Sequence, residues 1–163
     1  SYQIYRSTKK DGDYQNIKTI DSVGTSSWTD SSVKTGKTYY YKIKVVVKTQ
    51  NGNQTSGFSN VKSAKAVPAK TTLKAKASNA KNVKLTWSKV KGANGYEIYR
   101  SNSKDGKYQK VKTISKGGTT SYKDGKLKKS TTYYYKIRAY RKVDRKKVYG
   151  SYSSVVSVKT KAK

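Results

Sequence analysis

The sequence predicts an all-β chain built as two antiparallel β-sandwich modules in tandem. Three observations carry this: the chain repeats itself at a fixed interval, its apolar residues alternate with polar ones, and turn signals punctuate it at short spacing. Tyr2-Gln3-Ile4-Tyr5-Arg6-Ser7 returns 94 residues later as Tyr96-Glu97-Ile98-Tyr99-Arg100-Ser101, and the later landmarks keep that interval. Asp11-Gly12 matches Asp105-Gly106, Tyr14 matches Tyr108, Trp28 matches Tyr122, and Tyr39-Tyr40-Tyr41-Lys42-Ile43 matches Tyr133-Tyr134-Tyr135-Lys136-Ile137. About two positions in five are identical over the overlap, which points to duplication. The repeat divides the chain into residues 1–67 and 68–163, with the only proline, Pro68, at the junction.

Each element of the second copy follows from alternation, the period of a strand whose two faces meet different surroundings. Leu73, Ala75 and Ala77 form the first series, then Val83, Leu85 and Trp87 with Lys84 and Thr86 facing out. Tyr96 and Ile98 come next, then Val111 with Thr113, then Tyr133, Tyr135, Ile137 and Ala139, and finally Val156 and Val158. Gly92-Ala93-Asn94-Gly95, Asp105-Gly106, Gly117-Gly118 and Asp124-Gly125 supply the turns between them.

Composition sets limits on chemistry. The chain has 163 residues, 33% of them hydrophobic, and its 16 tyrosines supply much of the buriable area that other sequences draw from Leu and Phe. A net charge of +30 and a mean hydropathy of −0.97 are values shared with unfolded segments, against which the ordered alternation argues. There is no Cys, His or Met, so thiolate, imidazole and thioether chemistry are absent and no zinc site of the usual kind can form. A catalytic site would need paired carboxylates or a Ser–Lys arrangement, and only eight residues are acidic. Asp11 and Asp13 flank Gly12 as in a calcium loop, but the second copy has Lys107 in place of Asp13, so a hairpin turn is the better reading. The expectation is a protein that is not an enzyme and takes no cofactor or metal. No apolar run is long enough to span a membrane and none of these residues reads as a signal peptide, so any export signal is expected upstream of Ser1.

Two passages resemble a known family. Trp87-Ser88-Lys89-Val90-Lys91-Gly92-Ala93-Asn94-Gly95-Tyr96-Glu97-Ile98-Tyr99-Arg100 resembles the strand B to strand C passage of fibronectin type III modules found in bacterial surface and secreted proteins. Leu127-Lys128-Lys129-Ser130-Thr131-Thr132-Tyr133-Tyr134-Tyr135-Lys136-Ile137-Arg138-Ala139 resembles the same family's E–F corner and strand F. The resemblance implies seven-stranded, immunoglobulin-like sandwiches used as spacers or binding modules. It makes Tyr133 the tyrosine-corner residue, with its hydroxyl bonded to backbone near Leu127, and gives Tyr39 and Val33 the matching places in the first copy. It supplies no ligand, because this fold carries many functions. The Arg-Gly-Asp tripeptide of some animal modules has no counterpart, the matching loop reading Val143-Asp144-Arg145-Lys146.

The expected core comprises Trp87, Tyr96, Ile98, Leu127, Tyr133, Tyr135 and Ile137 in the second copy and Tyr39, Tyr41 and Ile43 in the first. The first copy starts after the position that would match Trp87, so its strands A and B are expected to be missing. A longer parent protein, a strand donated by a neighbouring chain and a partly disordered copy all stay open.

Alternation also defines a candidate binding face. With Tyr133, Tyr135 and Ile137 inward, Tyr134, Lys136, Arg138 and Tyr140 face outward beside Tyr99, and Tyr5, Tyr40, Lys42 and Lys44 match them in the first copy. Aromatic faces beside basic heads stack sugars and pair with acidic groups, but Lys stems also cover Tyr rings as ordinary sheet neighbours. Of the 38 basic residues only five are Arg, and Lys on outward strand faces protects edges without giving geometric specificity. An AT-rich coding sequence would produce the same Lys enrichment. The functional alternative is an anionic neighbour that relieves self-repulsion, with teichoic acid and acidic glycans favoured over nucleic acid, for which no motif is present. The reading is thus a non-catalytic, extracellular or cell-surface module of a larger bacterial protein, without membrane insertion. Its partners are anionic polymers, the parent protein's other domains and a strand-donating neighbour chain. Tethering an upstream wall hydrolase or polysaccharide-degrading domain, and strand-exchanged fibre assembly, are the alternatives.

Overall fold

The structure, a computed structural model, describes every residue from Ser1 to Lys163 and consists of strands, turns and loops without a helix. No helix is therefore present that could cross a membrane. The strands are β1 (Tyr2–Ser7), β2 (Gln15–Ile20), β3 (Thr38–Thr49), β4 (Gly52–Thr55), β5 (Lys62–Lys65), β6 (Leu73–Asn79), β7 (Asn82–Trp87), β8 (Gly95–Ser101), β9 (Gln109–Ile114), β10 (Ser121–Asp124), β11 (Thr132–Val143), β12 (Lys146–Tyr149) and β13 (Val156–Lys159). They fall into two compact units, Ser1–Ala66 and Val67–Lys163.

The second unit is the two-layer antiparallel sandwich that alternation predicts. One layer runs β10-β7-β6; the other runs β12-β11-β8-β9, with β13 also paired to β11. Long β11 is flanked along one edge by two strands, its first half paired with β13 and its last with β12. Between them the ladder is carried by Ser153, whose hydroxyl accepts from Ile137 N at 3.1 Å and whose own N–H donates to Ile137 O at 2.7 Å.

The β8–β11 register sets Ile98 opposite Ile137 and Tyr96 opposite Ala139, all facing Leu73, Val83, Leu85 and Trp87 of the other layer. Burying each such side chain is worth about 1.5–3 kcal/mol, the term that holds the layers together. The Trp87 and Tyr96 rings lie 5.4 Å apart, and the Trp87 indole N–H is buried without a hydrogen-bond partner. Tyr133 and Leu127 are buried, and the Tyr133 hydroxyl accepts from Lys128 N at 2.9 Å. One alternation is corrected. A bulge between Ile98 and Tyr99 resets the β8–β9 register, so Ile114 stands opposite Tyr96 in the core while Thr113 stands opposite Glu97.

The first unit repeats half of this plan. Its five strands form one sheet, β2-β1-β3-β4 with β5 also on β3, and there is no second sheet. A bulge between Ile4 and Tyr5 matches the one in β8, and the Tyr39 hydroxyl accepts from Lys34 N at 3.0 Å as Tyr133 does from Lys128. Two residues assigned to its core are corrected here. Tyr41 is only half-buried and Ile43 is 40% exposed, whereas their counterparts Tyr135 and Ile137 are fully buried. No layer equivalent to β6–β7 covers that face, so inward side chains meet solvent; Tyr39 alone of the three is buried.

Candidate functional site

The outward face of the β8–β11 sheet carries a ladder of cations and tyrosines. Pairing across β8 and β11 sets Tyr99 opposite Lys136 and Glu97 opposite Arg138, and outward residues of the flanking strands and loops close over them. Lys136 Nζ lies 4.3 Å from the Tyr108 ring centre and 4.5 Å from that of Tyr152. The Arg138 guanidinium lies 3.7 Å from Tyr149 and 4.9 Å from Tyr152, and Tyr99 meets Tyr152 edge-on at 5.2 Å. Cations near ring faces are attracted to the π-cloud by about 0.5–2 kcal/mol each. Much of the face is thus occupied by its own side chains: the rings of Tyr99, Tyr108, Tyr149 and Tyr152 already hold a cation.

Glu97 lies at the centre of this ladder. Its side chain is 1% exposed, and it accepts from Arg138 at 2.9 and 3.3 Å, Tyr99 at 2.8 Å, Lys147 at 3.1 Å, Tyr149 at 3.1 Å and Lys110 at 3.4 Å. Burial alone would raise its carboxyl; the hydrogen bonds, led by those from Arg138 and Tyr99, outweigh it and bring the pKa down to about 2. Burial and the hydrogen bond to Glu97 both push the Tyr99 phenol up. Sequence reasoning did not assign Glu97 a role. The available signal was that it is the only glutamate in the chain, at an outward position amid surplus cations.

Of the residues proposed for this face, Tyr99, Tyr134, Lys136 and Arg138 are half-buried on it, and Tyr5, Tyr40, Lys42 and Lys44 take the matching places in the first unit. Tyr140 is corrected: it is 1% exposed and offers nothing to a ligand. It stands opposite Gly95, which has no side chain, so the ring lies flat across β8 with its hydroxyl 3.4 Å from Ile114 O. Lys147 covers it at 4.4 Å, and Tyr149 flanks it at 6.2 Å. Tyr108, Tyr149, Tyr152, Lys110 and Lys147 complete the ladder and come from β9, β12 and neighbouring loops.

In the first unit a reduced form of the ladder recurs, with Gln3, Lys44 and Phe58 in the places of Glu97, Arg138 and Tyr152 and with Asn16, Asn53 and Thr55 in those of Lys110, Lys147 and Tyr149. Lys42 lies 4.3 Å from Tyr14 and 3.9 Å from Phe58, Lys44 lies 5.4 Å from Tyr5, and Tyr5 meets Phe58 edge-on at 5.0 Å. Gln3 replaces Glu97 and accepts from the Tyr5 hydroxyl at 3.0 Å, so no carboxylate sits among these cations.

Both units share a second polar device on the inward side. Asp124 of β10 binds Arg100 at 2.8 Å and the Tyr135 hydroxyl at 2.8 Å, joining one layer of the sandwich to the other. Asp30 binds Arg6 at 2.6 Å and the Tyr41 hydroxyl at 3.0 Å in the same way, with Ser32 capping it. Burial opposes ionisation of Asp30, but the Ser32, Arg6 and Tyr41 hydrogen bonds prevail and hold it at about 2. Burial, then the bond to Asp30, pushes the Tyr41 phenol up to about 12. No three carboxylates gather anywhere in the chain.

Neither a sequence-family profile nor a curated protein sequence matches the chain. Solved structures do. The FN1-FN3 domains of chicken CNTN1 superpose on 98% of this chain and 56% of theirs, with a TM-score of 0.51 at 20% identity. This chain therefore spans little more than half of that structure. The sixth fibronectin type III domain of human fibronectin type III domain containing protein 3 covers 61% of this chain and 92% of its own length, with a TM-score of 0.51 at 19% identity. An Fn3-like protein from Clostridium thermocellum aligns over 58% of this chain and 92% of its own, at 27% identity and a TM-score of 0.45. The likeness to the first two shows the fold alone: antiparallel sheets of the fibronectin type III sandwich class.

Proposed function

We propose that the chain is a non-catalytic spacer and interaction module of a larger bacterial surface or secreted protein, held in an anionic wall or matrix by diffuse Lys contacts. One observation carries this reading. The three carboxylates that form ion pairs, Asp30, Glu97 and Asp124, turn inward or are buried, while most lysines stand exposed. The net +30 is therefore presented to solvent with little compensation. A Debye length near 8 Å at physiological salt only partly screens such a surface, and a polyanion would relieve its self-repulsion. The ladder adds no specific pocket, because its rings hold their own cations. Teichoic acid and acidic glycans fit this surface, and are favoured over nucleic acid because the sequence carries no nucleic-acid-binding motif.

Titration of purified wall teichoic acid into the protein over a salt series tests the proposal. Affinity is expected to fall at least about tenfold between roughly 50 and 200 mM salt, as for any contact driven by counterion release. Binding unchanged over that range would overturn it.

A further inference from the structure

A second cationic surface lies apart from the ladder, where the chain of the second unit turns into β11. The segment 126–131 is fixed there from two sides: the Tyr133 hydroxyl accepts from Lys128 N at 2.9 Å, and Leu127 N donates to Lys81 O at 3.1 Å. Arg100 and Asn102 at the end of β8, Lys126, Lys128 and Ser130 of the segment and Thr132 of β11 line an open pocket of about 660 Å³. No carboxylate lines it. Arg100 gives Nη1 to the buried Asp124 yet stays 31% exposed, and neither Lys126 nor Lys128 forms an ion pair.

The first unit builds the matching pocket 94 residues earlier. Arg6, Thr8, Lys34, Lys37 and Thr38 line a pocket of about 580 Å³, again without a carboxylate, and the Tyr39 hydroxyl holds Lys34 N as Tyr133 holds Lys128 N. The lysines are not conserved position by position, since Ser32 stands for Lys126 and Lys37 for Thr131. The charge is kept all the same: one arginine and two lysines line each pocket. Backbone conformation adds an independent sign. Ser130 takes a φ of 52°, in the left-handed region, where the first unit has Gly36 at 88°. Glycine adopts that conformation without steric cost, so the second unit accepts strain and gains a hydroxyl in the pocket.

We propose that each pocket binds one phosphate group of a polyol-phosphate polymer. The cations and hydroxyls come from three segments of chain, so their donors suit a tetrahedral anion, whose acceptors point in several directions, better than a planar carboxylate. The assignment rests on the function proposed above and deepens it: among anionic polymers it selects those that carry phosphate, and it gives one binding position to each unit.

The probe is glycerophosphoglycerol, a singly charged phosphodiester, titrated into the full chain at a constant ionic strength of about 0.15 M and followed by amide chemical shifts. Saturable shifts are expected at Lys128, Ser130 and Thr131 and at Lys34 and Lys37. Lys126→Gln with Lys128→Gln should weaken binding at the second unit at least about fivefold and leave the shifts of the first unit unchanged. The same loss of charge beyond the far end of β7, Lys89→Gln with Lys91→Gln, should leave affinity within about twofold. All four lysines are exposed, so both variants keep the fold. Ser130→Gly should bind more weakly while its thermal midpoint is no lower, a split that a purely structural serine would not produce. Equal weakening by the two lysine pairs overturns the pocket, while the salt series with teichoic acid decides the wider reading separately. Equal affinity for galacturonate, a singly charged carboxylate, also overturns it. So does tighter binding of a thymidine dinucleotide, which would assign the pocket to nucleic acid.

Discussion

The two units share one five-stranded sheet plan, yet Ile137 is fully buried and Ile43 is 40% exposed. The difference lies in what covers them, since both occupy the same position of the same central strand. A strand's alternation states which side chains share a face; it does not state that the face is covered. The outward ladders teach a parallel lesson. Exchanging Gln3 for Glu97 converts a set of cations stacked on rings into a buried ion-pair hub, with Lys147 and Lys110 recruited where the first unit has Asn53 and Asn16.

The sharpest way to break the comparison is at Gly95. A methyl there would overlap the Ile114 carbonyl oxygen and come within 2.6 Å of the Tyr140 hydroxyl, so neither backbone nor ring could stay in place. Gly95→Ala is expected to cost the second unit more than about 3 kcal/mol in urea denaturation. The equivalent Ser1→Ala should leave the first unit within about 0.5 kcal/mol, because a side chain is already present there.

Next in size is Glu97→Gln, which gives the second unit the first unit's residue. It strands Arg138, Lys147 and Lys110 around a neutral amide and should cost about 2–3 kcal/mol at neutral pH. The reciprocal Gln3→Glu, facing Lys44 alone, should change the first unit by less than about 1 kcal/mol. The pH dependence follows from the sign of the shift. The folded carboxyl titrates at about 2 against an ordinary 4.5, so its stabilisation is complete above 4.5 and is lost as pH falls through about 2. Acid unfolding followed by tyrosine fluorescence should show a larger loss in the wild type than in Glu97→Gln, where Asp30 still titrates at about 2.

Tyr133→Phe removes the hydroxyl that accepts from Lys128 N and should cost about 1 kcal/mol, as should Tyr39→Phe at Lys34 N. Equal losses in calorimetry would mean that the corner works without a second sheet; a smaller loss at Tyr39 would make the corner's worth depend on the covered core. The smallest effect is expected for Lys136→Gln and Lys42→Gln, about 0.5 kcal/mol each, since both ammonium groups stay partly solvated above their rings.

Much of the fold was legible because it is written in local pattern. Alternation at Val83, Leu85 and Trp87 and at Tyr133, Tyr135 and Ile137 determines all-β character, and the interval between Tyr2 and Tyr96 determines the duplication. Tyr140 was misplaced because its solvent exposure depends on Gly95 across the sheet, a contact between residues far apart in the chain. Glu97 went unassigned because its five partner side chains come from four strands, and no spacing in the sequence brings them together.

The sequence by itself determined the period, the turns and the repeat, since each depends on neighbours a few residues apart. Tertiary structure alone decided which faces are covered, which cations find a carboxylate and which rings remain open. Those outcomes depend on the side chains that distant strands bring across a sheet or between layers, and pairing at that range is set by packing.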